Sequence, residues 1–197
     1  MESKTAVGRV VDGRELPPAG RWVIDATHSE IQLVVSHMMI AKVRGRFRRF
    51  SGTVDIGEVP EDSSVAVVIE AGTVDTGDEA RDRHLRGPDF LDVARHPHIV
   101  YVSRAIRALP DDDRRYEVVG DLTIRDVTRT VPLTTDFAGV ALDPWGNVRA
   151  GFLAKAEIDR EDFDVRWNQV LETGGFLVGR RVEVEIEAEL VLEQDQP

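Results

Sequence analysis

Residues 182–192, Val-Glu-Val-Glu-Ile-Glu-Ala-Glu-Leu-Val-Leu, alternate apolar and acidic side chains along most of their length. Successive side chains of a β-strand point to opposite faces, so this stretch has one dry face and one face that carries carboxylates. A helix would distribute the same acids around its axis. The stretch therefore predicts an antiparallel strand with one face in a core and the other in water.

The same period of two recurs along the chain, most clearly over residues 65–73, 116–124 and 148–158. Turn-forming clusters separate these runs at residues 60–62, 110–113 and 143–147. About eight strand-like runs with turns between them predict a sandwich or a barrel, and a closed barrel of that size holds a small ligand. The fold class that we predict is all-β: an antiparallel barrel of about eight strands with one or two short helices.

Two departures from this pattern are informative. Phe47 and Phe50 are three residues apart, which breaks the alternation and predicts a bulge near them or a bend at Gly52. Thr76-Gly77-Asp78-Glu79 has the Ser/Thr-x-x-Glu form of a capping box, and Gly87-Pro88 is a stop signal, so a helix is predicted over 79–86. A second short helical turn is predicted over 160–165.

Composition limits the organisation and the partners. The chain has 197 residues, is 42% hydrophobic and carries a formal net charge of -11, which suits one folded domain and disfavours nucleic acid and anionic membranes as partners. It contains no cysteine, no secretory signal and no apolar run of transmembrane length, so we expect a cytoplasmic protein without stable membrane insertion. Residues 1–20 are expected to be a flexible leader, and residues 21–193 the barrel domain.

Small side chains on one predicted inward face suggest an open lumen. Ala150, Ala154 and Ala156 share a face of the run 148–158 and leave volume that larger residues would occupy. One interpretation is an apolar tunnel for a slim hydrocarbon chain. The alternative is a core filled by larger side chains from other strands, such as Phe137 and Phe152.

Several motifs follow one another in a fixed order along the chain. They are the strand and turn at 22–29, the block 81–97, the stretch Gly-Asp-Leu-Thr-Ile-Arg-Asp-Val-Thr at 120–128 and Ile-Asp-Arg-Glu-Asp-Phe at 158–163. This ordered set resembles the YceI-like family, whose members are lipocalin-like, and the match covers about residues 21 to 192. This resemblance implies a lipocalin-like barrel that binds polyisoprenoids or isoprenoid quinones, often as a homodimer. Asp126 and Asp164 stand where the family usually has glycine, and aspartate tolerates the left-handed conformation that such turns need.

The function that we expect is therefore binding of a long-chain isoprenoid lipid in the lumen, by a non-enzymatic carrier, store or sensor. We expect no cofactor and no metal. The head group is expected at a mouth beside helix 79–86, where Arg83 and His84 could donate hydrogen bonds. The candidate ligand-binding residues are Ile24, Leu33, Val67, Ile69, Arg83, His84, Leu85, Phe90, Leu91, Phe137, Val148, Ala150, Phe152, Ala154 and Phe176.

Alternatives remain open at this point. The chain could be an enzyme acting on an isoprenoid or quinone-like substrate through His84 and the acids near Arg160, although no nucleophile motif is present. It could instead be a protein-interaction module with a filled barrel. His96 and His98 could contribute to a metal site, but spacing names no third ligand, and ordinary hydrogen-bonded histidines are the favoured interpretation.

One basic strand face also has two interpretations. Arg44, Arg46 and Arg48 share a face of one predicted strand. They could bind an anionic head group or a membrane during lipid transfer. The favoured interpretation is a solvated strand face that also discourages edge pairing.

Overall fold

The computed structural model describes residues 7–172 and 174–194 of the chain. Over these residues the chain forms thirteen β-strands, one α-helix and three short 3-10 helices. The strands are β1 (Arg9–Val11), β2 (Arg14–Leu16), β3 (Gly20–Ile24), β4 (Glu30–His37), β5 (Ala41–Phe47), β6 (Phe50–Ile56), β7 (Ser64–Glu70), β8 (Val74–Asp75), β9 (His98–Ala108), β10 (Arg115–Ile124), β11 (Val127–Leu142), β12 (Val148–Asp159) and β13 (Val178–Leu192). The helix α1 spans Glu79–Arg86, and the 3-10 helices are Pro60–Asp62, Ala71–Thr73 and Arg160–Phe163.

Eight of the described strands close into an antiparallel barrel. Their order is β12-β11-β10-β9-β7-β6-β3-β13, and β13 pairs back to β12 from Arg149↔Val191 to Asp159↔Arg181. The inward residues of β13 include Val182 and Leu190, which are 8% and 2% exposed. The predicted all-β, lipocalin-like barrel is confirmed, and the alternating stretch 182–192 is its closing strand.

The barrel wall is split where two strands share one edge of β13. β3 pairs with β13 at Leu190–Leu192, and β4 pairs with it over Val178–Glu187. On their other side, β3 pairs with β6 and β4 pairs with β5. β4, β5 and β8 therefore form a flap that continues the wall beyond the closed ring.

The split explains the break in alternation around Phe47. The structure has neither the bulge nor the bend at Gly52 that we predicted, because β5 ends at Phe47 and a new strand begins at Phe50. Gly52 lies inside β6 instead, where a Cβ would come within 2.7 Å of the Ala66 carbonyl oxygen. Glycine at this position allows close strand approach and does not mark a turn.

Part of the expected flexible leader is an ordered hairpin. β1 and β2 pair antiparallel around Asp12 and Gly13, whose φ angles are 51° and 81°. Positive φ at both central residues is the geometry that Asp-Gly hairpin turns favour. Leu16 at the end of β2 is 5% exposed, so burial of this side chain holds the segment against the barrel. Residues 1–6 lie outside the described residues.

Helix α1 forms where predicted, but its cap differs. The N-cap is Asp78, whose side chain accepts a hydrogen bond of 2.8 Å from the Arg81 backbone N–H. The Thr76 hydroxyl, which was expected to cap the helix, donates instead to Asp82 Oδ1 at 2.6 Å. Asp82 is 4% exposed, so this bond and that from the Thr76 N–H satisfy a buried carboxylate.

The second helical turn is the 3-10 helix Arg160–Phe163. It ends at Asp164, which has the left-handed conformation expected there, with φ 59°. In the β10–β11 turn the prediction was wrong by one residue, because Arg125 and not Asp126 is left-handed, with φ 58°.

Apolar clusters close the two ends of the barrel. The cluster with Phe90, Phe163 and Val165, on which Leu85 and Trp167 pack, is called the helix end. The cluster with Leu16, Trp22, Tyr116, Phe137, Ala150 and Leu190 is called the hairpin end, because β2 contributes to it. The lumen lies between these two ends.

Candidate functional site: an apolar lumen

The lumen is an internal cavity with an almost wholly apolar wall. Its volume is about 210 Å³, measured to the centres of water-sized spheres. On that measure one water needs about 10–15 Å³, so the cavity is far larger than a packing defect. All eight barrel strands contribute to the wall, with Leu16 and Ile31 from beside the ring. The interior of the barrel is therefore open, and the filled core that we considered is not present.

Small and large inward residues divide the lumen between them. Ala154 and Ala156 on β12 line the cavity. Ala188 on β13, which lies opposite Phe152 of β12, lines it as well. Phe137 and Phe152 pack with ring centroids 5.3 Å apart and form part of the wall. Short side chains on β12 thus leave the space that the two aromatic rings border.

The candidate ligand-binding residues separate into three groups in the structure. Six line the lumen: Ile24, Val67, Ile69, Phe137, Phe152 and Ala154. Six are packed in the clusters around it: Leu33, Leu85, Phe90 and Leu91 toward the helix end, and Val148 and Ala150 at the hairpin end. Three lie at the surface: Arg83, His84 and Phe176. Ligand binding by any of them stays a prediction.

The helix end is closed, and the mouth expected beside α1 is not there. Among the described residues, none from 79 to 93 lines the cavity. The His84 ring bonds Asp89 Oδ2 through Nε2 at 3.0 Å and packs edge-on against Phe90 and Trp167, with centroids 5.0 and 4.7 Å away. The Arg83 side chain is 74% exposed beside Glu79. These polar groups sit outside an apolar closure and do not reach the lumen.

Phe176 also lies outside the barrel interior. It pairs with Val170 in an isolated bridge of the loop between Arg160–Phe163 and β13, and it is 54% exposed. The prediction that Phe176 lines the lumen is therefore corrected. Phe176 precedes β13, which begins at Val178, so the alternation of that strand does not say which way its side chain points.

Arg160 holds the loop before β13 to the helix end. Its buried guanidinium donates to the carbonyl oxygens of Val165, Trp167 and Gly179 at 2.6, 2.9 and 2.9 Å, and to that of Val178 at 3.4 Å. Burial lowers the pKa of this guanidinium below its usual value. Of the acids that we considered as catalytic groups near it, Asp159 and Glu161 pair with Arg180, and Asp164 pairs with Arg166.

Tyr101 on β9 lies in the lumen wall beside a β-bulge. Its hydroxyl lies 2.9 Å from the Val118 carbonyl oxygen and 3.1 Å from that of Val131. The β9–β10 register shifts between Val119 and Gly120, and a Cβ on Gly120 would come within 2.5 Å of the Tyr101 ring. Burial raises the pKa of the phenol, so it keeps its proton as a donor. Sequence reasoning missed this residue, although glycine in an inward phase was a readable signal of close approach.

The hairpin end carries further polar residues of the lumen wall. Tyr116 on β10 and Thr135 on β11 both line the cavity and are 5% and 8% exposed. They are direct cross-strand partners in the β10–β11 ladder. Pro17 and Ser63 lie among the lining residues with them, which places the turns of this end against the cavity. Neither Tyr116 nor Thr135 was among the candidates from sequence.

The split in the wall forms a polar groove on the outside. The β3–β6 ladder ends at Val23↔Thr53, and the β4–β5 ladder begins at Gln32↔Arg46. Between these two ladders, residues 24–31 and residues 47–52 do not pair with each other. The groove there is lined by His28, Arg46 and Arg48 among others, and it shares Ser29, Phe50 and Glu187 with the lumen wall.

The predicted basic face is largely ion-paired at this groove. Arg48 approaches Asp75 Oδ2 at 2.7 Å, and Arg46 lies 3.4 Å from both Asp75 and Glu30. These contacts support the solvated strand face that we favoured.

A cluster of ion pairs centred on Arg149 joins residues of neighbouring strands near the hairpin end. The Arg149 guanidinium lies 2.8 Å from carboxylate oxygens of Asp25 and Asp143, and it also pairs with Glu189. The Thr27 hydroxyl and Arg149 hold the pKa of Asp25 well below its usual range, and Arg149 does so for Asp143. Asp25, His28 and Glu189 form the one trio among the described residues with metal-compatible spacing, and both of its carboxylates pair with Arg149. His96 and His98 are not part of this trio.

Comparison with known proteins agrees with this architecture. A family model described as a YceI-like domain matches residues 22–190. The chain belongs to the YceI-like family. The resemblance identified from the ordered motifs is thereby confirmed, and the match falls within the predicted barrel domain.

Curated relatives align along most of the chain. A UPF0312 protein of Staphylococcus epidermidis is 33% identical over 176 residues, which cover 88% of this chain and 98% of that protein. A UPF0312 protein of Vibrio parahaemolyticus is 33% identical over 150 residues, which cover 75% of this chain and 78% of that protein.

Solved structures share the fold of this chain. BcnA of Burkholderia cenocepacia matches with a TM-score of 0.73 at 24% identity, covering 84% of this chain and 98% of that one. A polyisoprenoid binding domain from Saccharophagus degradans, implicated in plant cell wall breakdown, matches with a TM-score of 0.66 at 14% identity and covers 87% and 98%. At these identities the comparison establishes the fold of the barrel and nothing about its ligand.

Proposed function

We propose that the chain binds a long-chain isoprenoid lipid, a polyisoprenoid or an isoprenoid quinone, in the lumen, as a non-enzymatic carrier, store or sensor. The observation that carries this proposal is the apolar cavity of about 210 Å³ enclosed by the barrel. The shared fold with a polyisoprenoid binding domain from Saccharophagus degradans supports the isoprenoid class.

The wall chemistry suits a hydrocarbon chain. Side chains such as Val67, Ile186 and Leu133 offer no hydrogen bonds, so affinity comes from removing apolar carbon from water. Each buried methylene contributes about 0.8 kcal/mol, so ten buried carbons supply about 8 kcal/mol before the cost of association. A long chain therefore binds without a dense set of polar contacts.

The placement of titratable groups supports binding over catalysis. His84 and the acids beside Arg160, which an enzyme would have used, lie outside the lumen in contacts with Asp89 and Arg180. Burial raises the pKa of the phenols that do line the lumen, Tyr101 and Tyr116, so they hold their protons and are poor general bases.

The proposal is tested by native mass spectrometry of gently purified protein and by uptake of an isoprenoid quinone. Ala154→Phe and Ala156→Phe each place a ring in the lumen and should lower uptake at least tenfold, because the tail loses its space. Ala141→Phe on the exposed face of β11 is the matched control and should bind normally. Failure of the unmodified protein to carry or take up any isoprenoid would contradict the proposal.

Location and assembly are part of the proposal. None of the described helices is long and apolar enough to cross a membrane. We propose that the carrier acts in the cytoplasm and forms a homodimer. Cell fractionation tests the first, and light scattering on the purified protein tests the second; a periplasmic or strictly monomeric protein would contradict these two points.

A further inference from the structure

Five large hydrophobic side chains are exposed together at one corner of the helix end. Met38, Met39 and Ile40 form the turn between β4 and β5, and Val170 and Phe176 bridge each other in the loop before β13. Met39, Ile40 and Val170 are 73%, 83% and 71% exposed. These five residues, which we call the apolar tip, are nearly half of the eleven large hydrophobic side chains that are exposed among residues 7–172 and 174–194. Exposed apolar residues gathered in one place commonly mark an interaction site.

The two segments of the apolar tip contact each other. The Met38 N–H donates to the Leu177 carbonyl oxygen at 2.9 Å. The Met39 methyl lies so close to Gly175 that a Cβ there would come within 2.5 Å of it. The turn and the loop therefore present one continuous apolar surface.

The turn holds methionine where other residues would fit at a lower cost. Met38 and Met39 have φ angles of 52° and 60°, and a hydrogen bond of 3.2 Å from the Ile40 N–H closes the turn. The β1–β2 turn has a similar pair of positive φ angles and uses Asp12-Gly13. Left-handed backbone is costly for methionine, whereas Asn-Gly or Asp-Gly adopts it readily and is polar as well. The apolar side chains are therefore best explained by a partner that covers them.

The charge around the apolar tip favours an anionic partner. Residues 31–54, which contain the turn, carry five Lys or Arg side chains and no Asp or Glu, although the whole chain has 36 acidic and 25 basic residues. The five are Lys42, Arg44, Arg46, Arg48 and Arg49. The loop 168–177 adds one charged residue, Glu172. The tip thus projects from the segment of an acidic protein where repulsion of an anionic surface is weakest.

These basic side chains are available to an anionic surface. Arg44 is exposed and has no ion-pair partner among the described residues. The other four pair with carboxylates of neighbouring strands, as Lys42 does with Glu183 at 2.7 Å. Ion pairs at a protein surface contribute little, so these cations can exchange a carboxylate for a lipid phosphate at little cost. The strand face that is solvated in the free protein therefore also suits the phosphates of lipid head groups.

The size of the apolar tip favours a membrane over a protein partner. A specific protein interface takes about 20–30 residues from each side, whereas the tip offers five. Binding to a membrane instead grows with the apolar area that is buried and with the attraction to anionic lipids, so a few side chains are enough for a transient contact.

We infer that the apolar tip docks the protein on a lipid bilayer that contains anionic lipids. Docking goes beyond the proposed binding in the lumen, and only its use for lipid exchange rests on that function. The net charge of -11 opposes tight binding to such a bilayer, so the contact is transient.

The test is co-sedimentation of the protein with vesicles of phosphatidylcholine mixed with phosphatidylglycerol, and with vesicles of phosphatidylcholine alone. The unmodified protein should bind the mixed vesicles more tightly. Met38→Asn/Met39→Gly/Ile40→Thr should lower this binding about tenfold or more, because three apolar side chains no longer leave water. Its Asn-Gly pair suits the turn, so the triple variant should melt at the same temperature as the unmodified protein or higher.

Two further variants separate the contributions. Leu142→Thr/Trp145→Ser is the matched control, because it removes side chains that are 59% and 82% exposed at the other end of the barrel, and it should bind vesicles normally. Arg44→Gln should lower binding to the mixed vesicles by about fivefold and binding to phosphatidylcholine much less, because a cation near the bilayer is attracted by anionic lipids. Uptake of an isoprenoid quinone in the absence of vesicles should be the same in all the variants.

Several results would overturn the inference. One is failure of the unmodified protein to bind either kind of vesicle, which would leave the lumen function untouched. Another is equal vesicle binding by the triple variant and the unmodified protein. A dimer in light scattering that the triple variant converts to a monomer, without a change in vesicle binding, would show that a second copy of the chain covers the tip. Vesicle binding that depends on the tip in a protein that takes up no quinone would support docking and remove the proposed function.

Discussion

The helix end and the hairpin end close the same lumen in different ways. At the helix end, apolar residues such as Leu85 and Phe90 form the closure, and the His84 ring bonds Asp89 outside it. At the hairpin end, the polar residues Tyr116 and Thr135 belong to the lumen wall itself. The difference shows that the most polar block of the sequence, Arg-Asp-Arg-His-Leu-Arg at 81–86, lies outside the lumen, whereas the polar residues of the wall look like core residues in the sequence.

The largest expected effect tests whether the helix end is a structural closure. Arg160→Met removes hydrogen bonds to four carbonyl oxygens and should cost about 3 kcal/mol, or about 6–12 °C in melting temperature for a chain of this size. Thermal unfolding followed by circular dichroism measures the shift. Arg166→Met is the control, because its side chain in the same loop is 71% exposed. Equal shifts in the two variants would show that Arg160 does not hold this end.

At the hairpin end, the expected effect combines stability and ligand retention. Leu16→Ala removes a buried side chain that lines the lumen, and it should cost about 2–3 kcal/mol. It should also speed lipid release, because Leu16 is part of the closure. Val10→Ala in the same hairpin, at a side chain 72% exposed, should change neither property. Lipid release at the unmodified rate would show that the hairpin does not retain the ligand.

A pH-dependent effect is expected from the cluster at the hairpin end. Arg149 lowers the folded-state pKa of Asp25 and Asp143, so their ion pairs stabilise the fold above the unfolded carboxyl pKa and lose that effect as pH falls through the lower folded values. Arg149→Gln should therefore melt several degrees lower at pH 7, and the difference from the unmodified protein should shrink as the pH is lowered into the acid range.

The control for this cluster is on the same strand. Lys155→Gln removes an exposed pair 3.8 Å from Glu185 and should have little effect at any pH. A melting-temperature difference between the Arg149 variant and the unmodified protein that stays constant down to strongly acid pH would contradict the proposed origin in carboxylate ionisation.

Much of the fold was predictable because alternation reports which face of a strand is buried. The stretch 182–192 and the residues 79–86 gave β13 and α1 with nearly the right bounds. The β1–β2 hairpin was missed although Asp12-Gly13 is a hairpin signal, since the prolines after it suggested an irregular leader. The split wall was missed because periodicity does not say which strands pair.

The site was harder to predict than the fold. Alternation placed Phe152 and Ala154 on the lumen wall correctly, because both lie in the middle of a regular strand. It could not say which end of the barrel is closed, which depends on loops and on the helix docking across strands. Tyr116 and Thr135 on the lumen wall were not among the candidates, because alternation alone does not separate a residue that lines a cavity from one that packs in a core.

The smallest expected effect concerns the polar side chains at the helix end. His84→Ala should change the affinity for an isoprenoid quinone by less than about 2-fold, which is below the loss of one hydrogen bond. The reason is that the His84 ring contacts Asp89, Phe90 and Trp167 and does not line the lumen. The same assay on Ala154→Phe should show the large loss expected from a filled lumen. A reversed result, with quinone binding lost in His84→Ala and kept in Ala154→Phe, would place the head group at the helix end, because only a ligand oxygen in contact with the imidazole would produce that pattern.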